Sequence, residues 1–343
     1  LAKKSPYKLL KAMLALSLLA AVAIGGWAWQ CYQRFADTQI ALAGGERILV
    51  VERGDGFRDI LGKLRGLGVH QGHDLEWKAL AHEMQVVSRL QVGEYAIGHG
   101  ITPRELLRKL ESGRVIQYRF TLVEGWNWRE LRAALARDEV LRQTLPGMDD
   151  AAVMAALGRP GQHPEGRFLP ETYHYARGMS DLDLLRRAML AMDRALAEAW
   201  DSRDADLPVE TPEQLLILAS IVEKETGKAE ERPQIAGVFA RRLKLGMKLQ
   251  TDPTVIYGMG SAYDGNIRRR DLVTDTPYNT YTRTGLPPTP IAMPGRDALM
   301  ASARPADGDA LYFVSRNDGS HVFSATLREH NRAVDCYQRR RCR

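Results

Sequence analysis

"TPEQLLILASIVEKETG", residues 211–227, sets the central helix of the fold and raises its main chemical question. Thr211 as N-cap, Pro212 at the first helical position and Gln214 at the third make a capping-box pattern, and Gly227 is a natural stop. Between them Leu218, Ala219, Ile221 and Val222 form the apolar face of the last two turns. At roughly 100° per residue, Glu225 falls near the centre of that face, whereas Glu223 lies much farther round. Glu223, Glu230 and Glu231 therefore read as solvated charges. A carboxylate ending an apolar stripe is partly desolvated, which raises its pKa toward that of a general acid at neutral pH. The same position also suits a structural ion pair with Arg232, Arg241 or Arg242, and the helical pattern alone leaves that choice open.

The whole chain bounds the answer. Its 343 residues suit two or three modules, and 45% hydrophobic with 26% charged residues is the composition of a globular protein. The net charge of +6 is held at the ends: Lys3, Lys4, Lys8 and Lys11 at one, Arg339, Arg340, Arg341 and Arg343 at the other. Setting those eight aside from 48 leaves 40 basic residues against 42 acidic ones. No basic stripe with interleaved aromatics remains, so nucleic acid is not the expected partner.

The basic N-terminus precedes "AMLALSLLAAVAIGGWAW", residues 12–29, which has no charge and is long enough to cross a bilayer core as a helix. The positive-inside rule places residues 1–11 in the cytoplasm, and Trp27 and Trp29 suit an interfacial belt. The bulky "WQCYQRF" that follows does not fit a signal-peptide cleavage site. An uncleaved single-pass anchor in the cytoplasmic membrane is expected, followed by a linker over 30–45. Everything after residue 30 then lies on the outer face. Cys31 sits at the membrane edge, and Cys336 and Cys342 either pair after export or remain free thiols. The eight histidines are scattered and no Cys or His spacing reads as a metal site.

Past the linker, residues 46–97 read strand, helix, helix, strand. Phe57, Ile60, Leu61 and Leu64, then Leu75, Trp77, Leu80 and Met84, recur at helical spacing, and "GEYAI" closes the unit as a strand. This βααβ module resembles a LysM-like, peptidoglycan-binding domain. "TPRELLRKLESG" adds a capped helix ending at Gly113. Residues 114–343 form a larger domain, so the fold class is α+β: a transmembrane helix, a small module over 46–113 and a catalytic domain. Within it "PGQHPEGRFLPETYHY" (160–175) is a long loop with buried-type aromatics. "LQTDPT" (249–254) reads as an Asp-Pro turn, and "LPPTP" (286–290) as a stiff connector. The stretches that contain these two turns, residues 241–260 and 276–295, carry Gln250, Thr251, Asp252, Tyr257, Tyr278, Asn279 and Tyr281, groups of the kind that line carbohydrate pockets.

Residues 218–260 with "TPYNTYTRTGLPPTPIAMPG" (276–295) resemble the endolytic murein transglycosylases, the MltG or YceG-like family. "VEGWNWREL", "EGRFLPETYHY", "ALYFV" and "GSHVFSATLREHNRAV" extend the resemblance over nearly the entire chain. Glu171 stands where the family pattern leads one to expect Asp. The resemblance implies that Glu225 is the catalytic glutamate, with Glu223 supporting it and Gln250, Asp252, Tyr278 and Asn279 positioning substrate. It implies a lytic transglycosylase that needs no cofactor or metal, cuts the MurNAc–GlcNAc bond inside nascent strands and leaves a 1,6-anhydroMurNAc end, terminating glycan elongation. Peptidoglycan synthases become candidate partners. Two other classes stay in view: a muramidase-type hydrolase using Glu225 and Asp252, and a non-catalytic peptidoglycan-binding scaffold.

Overall fold

The structure is a computed structural model that describes residues 6–42 and 45–341. Lys3, Lys4, Cys342 and Arg343 lie outside the described residues. The chain divides into two compact units, residues 1–118 with 176–178, and residues 119–175 with 179–343.

The first unit opens with α1 (Pro6–Asp37), a 32-residue helix. Its apolar residues from Leu10 to Trp29 are exposed all round, and Leu10–Asp37 is long and apolar enough to cross a membrane. The helix does not stop at residue 29. Residues 30–45, expected as a linker, instead include two more helical turns, and Phe35, Ala36, Ile40 and Leu42 are buried in the core of the unit. The apolar spacing of these four residues fits a face packed on protein. β1 (Arg47–Val51), α2 (Phe57–Gly66), α3 (Asp74–Glu83) and β2 (Gly93–Ile97) follow in the expected order, with β1 and β2 antiparallel and Leu49 opposite Tyr95. α4 (Pro103–Ser112) closes the unit with Thr102 as its cap. Trp77 is fully buried, meets Phe35 edge-on at 5.4 Å and donates its indole N–H to the Gln71 carbonyl.

The second unit is built around helices, with two small two-stranded sheets. β3 (Tyr118–Thr121), α5 (Trp128–Ala136), α6 (Asp150–Ala156) and β4 (Thr172–Tyr175) lead into α7 (Asp181–Asp201) and α8 (Pro212–Glu225). α9 (Arg232–Lys244), α10 (Asp252–Met259), α11 (Arg269–Val273) and α12 (Arg296–Ala303) follow. The hairpin β5 (Tyr312–Ser315)–β6 (His321–Ser324) and α13 (Leu327–Tyr337) complete the unit. α8 is its central element: Leu215 to Val222 are buried without interruption, including Ser220, among residues of α7, α9 and α12. Thr211 caps it by accepting from the Gln214 N–H. The helix ends at an extended Thr226 rather than a left-handed Gly227, so the chain leaves straight into the next segment. Cys31 is a free thiol, whereas Cys336 is disulfide-bonded.

Candidate active site

Glu225 is the last helical residue of α8, and its side chain opens into a cleft of about 460 Å³. The other walls come from residues 249–252, Tyr281, β5 and α13. Burial pushes the Glu225 carboxyl up to about 7, with the neighbouring Asp252 charge acting in the same direction. Thr251 opposes the rise by donating its hydroxyl to Oε1. That bond occupies one carboxyl oxygen and leaves Oε2 for a ligand. No arginine pairs with Glu225 among the described residues, so the ion-pair alternative with Arg232, Arg241 or Arg242 is not what the structure contains.

"LQTDPT" is the entry to a helix rather than a simple turn. Pro253 occupies the first turn of α10, and Thr251 is its extended cap residue. Thr251 is fixed from behind: its N–H donates to Thr280 Oγ1 at 3.1 Å, and its carbonyl accepts from Thr254 Oγ1 at 2.8 Å. Gln250 takes a left-handed backbone (φ 52°), sparsely populated for a non-glycine residue, and its N–H donates to the Thr280 carbonyl. Asp252 accepts from the Tyr281 hydroxyl at 2.6 Å. Arg242 lies beneath, donating to the carbonyls of Leu311 and Leu249, with its guanidinium 5.0 Å from the Tyr312 ring. His330 stacks on the same Tyr312 ring at 5.3 Å, and burial holds its pKa below the usual histidine value.

Glu223 is not a solvated charge. Its side chain is only 6% exposed, accepts from the Gly295 N–H at 2.9 Å and lies 3.6 Å from Arg232. A helical wheel assumes one solvent face, whereas α8 is enclosed, so the side opposite its apolar stripe meets a second packed surface. Burial raises the Glu223 pKa, and Glu124 nearby adds to the rise. Glu231 is likewise paired, accepting from the His321 backbone N–H and bonding its ring Nδ1 at 2.7 Å. Lys224 donates to the Gly125 carbonyl, so Glu223 and Lys224 together fix the end of the helix that carries Glu225.

Of the residues expected to bind substrate, Gln250 and Asp252 share the cleft with Glu225. Tyr278 and Asn279 do not line it. Tyr278 packs edge-on against Tyr257 at 4.9 Å and bonds Thr289 through its hydroxyl. Asn279 is 1% exposed, and its amide is spent on the carbonyls of Asp271, Leu272 and Thr274 and on the Tyr281 N–H. It builds the loop that presents Tyr281. Glu171 is exposed and paired with Arg296, away from the cleft lining. Sequence reasoning missed Arg242, Tyr312 and His330 as cleft residues, because they come from three distant elements. It also missed Glu165, which is buried, pushed up to about 7 by desolvation and accepts from the first N–H of α5. Among the described residues no cluster of His, Cys, Asp and Glu is placed to hold a metal ion.

The sequence profile of the YceG-like family matches residues 49–336. The chain belongs to the YceG-like family. It is 33% identical over 267 residues to a Bacillus subtilis (strain 168) protein named endolytic murein transglycosylase, covering 73% of this chain and 74% of that one. A Streptococcus pneumoniae (serotype 2, strain D39) protein of the same name is 32% identical over 207 residues; there the match spans 59% of this chain but 36% of the longer relative. The fold also resembles the crystal structure of a YceG-like protein from Listeria monocytogenes, with a TM-score of 0.54 at 26% identity, covering 83% of this chain and 98% of that one.

Proposed function

We propose that this YceG-like protein is a membrane-anchored lytic transglycosylase that cuts peptidoglycan strands internally with Glu225 as its acid and base. The observation that carries the reading is the state of Glu225: a carboxyl in the wall of a cleft, pushed up to about 7, with one oxygen held by Thr251. The names of its relatives support the same substrate and reaction.

Glu225 starts protonated and gives its proton to the oxygen between MurNAc C1 and GlcNAc as that bond breaks. The developing positive charge at C1 is met by the substrate's own N-acetyl group or by the polar wall of the cleft. Glu225, now ionised, accepts the proton of the MurNAc C6 hydroxyl while O6 bonds to C1, giving the 1,6-anhydro end. Because O6 belongs to the same sugar, its effective concentration is high and no bound water is required. Thr251 favours the ionised stage and Asp252 the protonated one, which keeps the carboxyl near the pKa that both half-reactions need. Gln250 and Asp252 position the sugar, Glu223 supports the helix end, and Tyr281 holds Asp252. An ordinary glycosidase needs a second carboxyl free to act on water or C1. The Tyr281 bond to Asp252 makes that role less suited to it.

In this reading α1 crosses the cytoplasmic membrane with residues 1–11 inside and the catalytic domain outside. The βααβ unit is a LysM-like module that guides glycan. Cutting close to the membrane would terminate strands as they emerge beside their synthases. The test is incubation with long, uncrosslinked glycan strands and measurement of strand-length distribution. Internal cutting shortens the mean length at once, and Glu225→Gln abolishes it. Trimming of single units from strand ends, or equal cutting by the variant, would refute the assignment.

A further inference from the structure

A second pocket of about 410 Å³ adjoins the Glu225 cleft along the chain itself. Glu225 and Asp252 line the cleft, while their neighbours Lys224 and Pro253 line the second pocket. The end of α8 and the start of α10 thus form a ridge with a cavity on either side. Tyr257 and Tyr263 give the second pocket aromatic walls, and Lys224 and Arg129 give it two exposed cations. Neither cation has an ion-pair partner among the described residues: Lys224 reaches only the Gly125 carbonyl. Glu130, the pocket's one acid, already accepts from the Asn127 N–H at 2.8 Å as part of the α5 cap.

Arg129 is also badly placed for stability. It occupies the second position of α5, where the helix dipole disfavours a cation. No ion pair among the described residues offsets it. A carboxylate bound in the pocket would do so, and would meet Lys224 as well.

We infer that this pocket is a subsite for the carboxylates of a peptide stem carried by MurNAc, so that the protein reads peptide as well as sugar next to the scissile bond. The inference rests on the peptidoglycan reading above. Glycan backbone sugars carry no charge at neutral pH. The acidic groups of such a strand lie on the lactyl-linked peptide, attached to the same sugar whose C1 is attacked. A cationic pocket one residue from the catalytic acid is where that substituent would fall.

The test measures binding in a Glu225→Gln background, so that turnover does not intervene. The probes are uncrosslinked strands bearing stem peptides and the same strands stripped of peptide by an amidase. Arg129→Ala should weaken binding of peptide-bearing strands about fivefold and leave stripped strands within about twofold. Arg129→Glu should weaken peptide-bearing strands at least as much while leaving the melting temperature unchanged or higher, which separates ligand loss from unfolding. Equal losses on both probes, no loss on either, or no binding of peptide-bearing strands by the parent would overturn the subsite. Strand shortening by the unsubstituted protein is read separately, so the subsite can fail while the transglycosylase reading stands.

Discussion

Thr251 donates its hydroxyl to Oε1 of Glu225, while the next residue, Asp252, opposes ionisation of that same carboxyl. Two consecutive residues at the start of α10 therefore push the acid at the end of α8 in opposite directions. Burial sets the raised pKa of Glu225, and these two residues tune it.

The unsubstituted protein needs Glu225 protonated to begin, so kcat/KM should fall as pH rises through about 7. Asp252→Asn removes a repelling charge, lowers the Glu225 pKa and should move that alkaline limb down. Thr251→Val removes a donor to the ionised form and should move it up. A pH–rate profile for each variant checks the sign, whatever happens to the absolute rate.

Glu225→Gln should abolish cutting yet stabilise the fold in alkali. The carboxyl holds its proton more tightly when folded, so between pH 4.5 and about 7 the native state binds more protons than the unfolded chain. Stability is lost as pH rises through that window. Glutamine has no charge to desolvate, so the variant should be more stable by roughly 1–3 kcal/mol at pH 8 and equal to the parent near pH 4. Denaturant melts at both pH values measure this directly.

Arg232 is 7% exposed and lies 3.4–3.6 Å from Glu124, Glu223 and Asp297. Arg232→Ala should cost about 3 kcal/mol at neutral pH, because it leaves Glu223 buried and uncompensated. Adding Glu223→Gln should restore part of that loss, since the amide oxygen can still accept from the Gly295 N–H. Urea melts of the two single variants and the double variant would show the coupling.

Removal of residues 1–30 should release the protein from membranes and leave the first unit folded, since its buried contribution from α1 begins at Phe35. Phe35→Ala in the shortened chain should destabilise that unit by about 3 kcal/mol or more through the void beside Trp77. Sedimentation of membrane fractions and thermal melts test the two halves of this claim.

Local patterns made much of this legible. The caps at Thr102 and Thr211, the alternating strands around "GEYAI" and the apolar stripe of α8 all depend on residues close in sequence. Glu225 was visible because one helix end both buries and aims it. The features that were less legible share a different cause. Glu223 pairs with Arg232 and the distant Gly295, and Asn279 is consumed by its own loop. Residues 30–42 are helix and packed segment because Phe35 meets Trp77 across 42 positions. The cleft wall from Arg242, Tyr312 and His330 exists only after three elements meet, and no spacing in the chain announces it.

The central claim is that Glu225 delivers O6 of the same sugar to C1, and the mass of the new ends tests it most directly. Fragments from uncrosslinked strands should end in 1,6-anhydroMurNAc, each lighter by one water than a reducing end, and Glu225→Gln should yield none. New reducing ends in the unsubstituted digest would contradict the account and assign water activation to a second carboxyl, with Asp252 the first to examine.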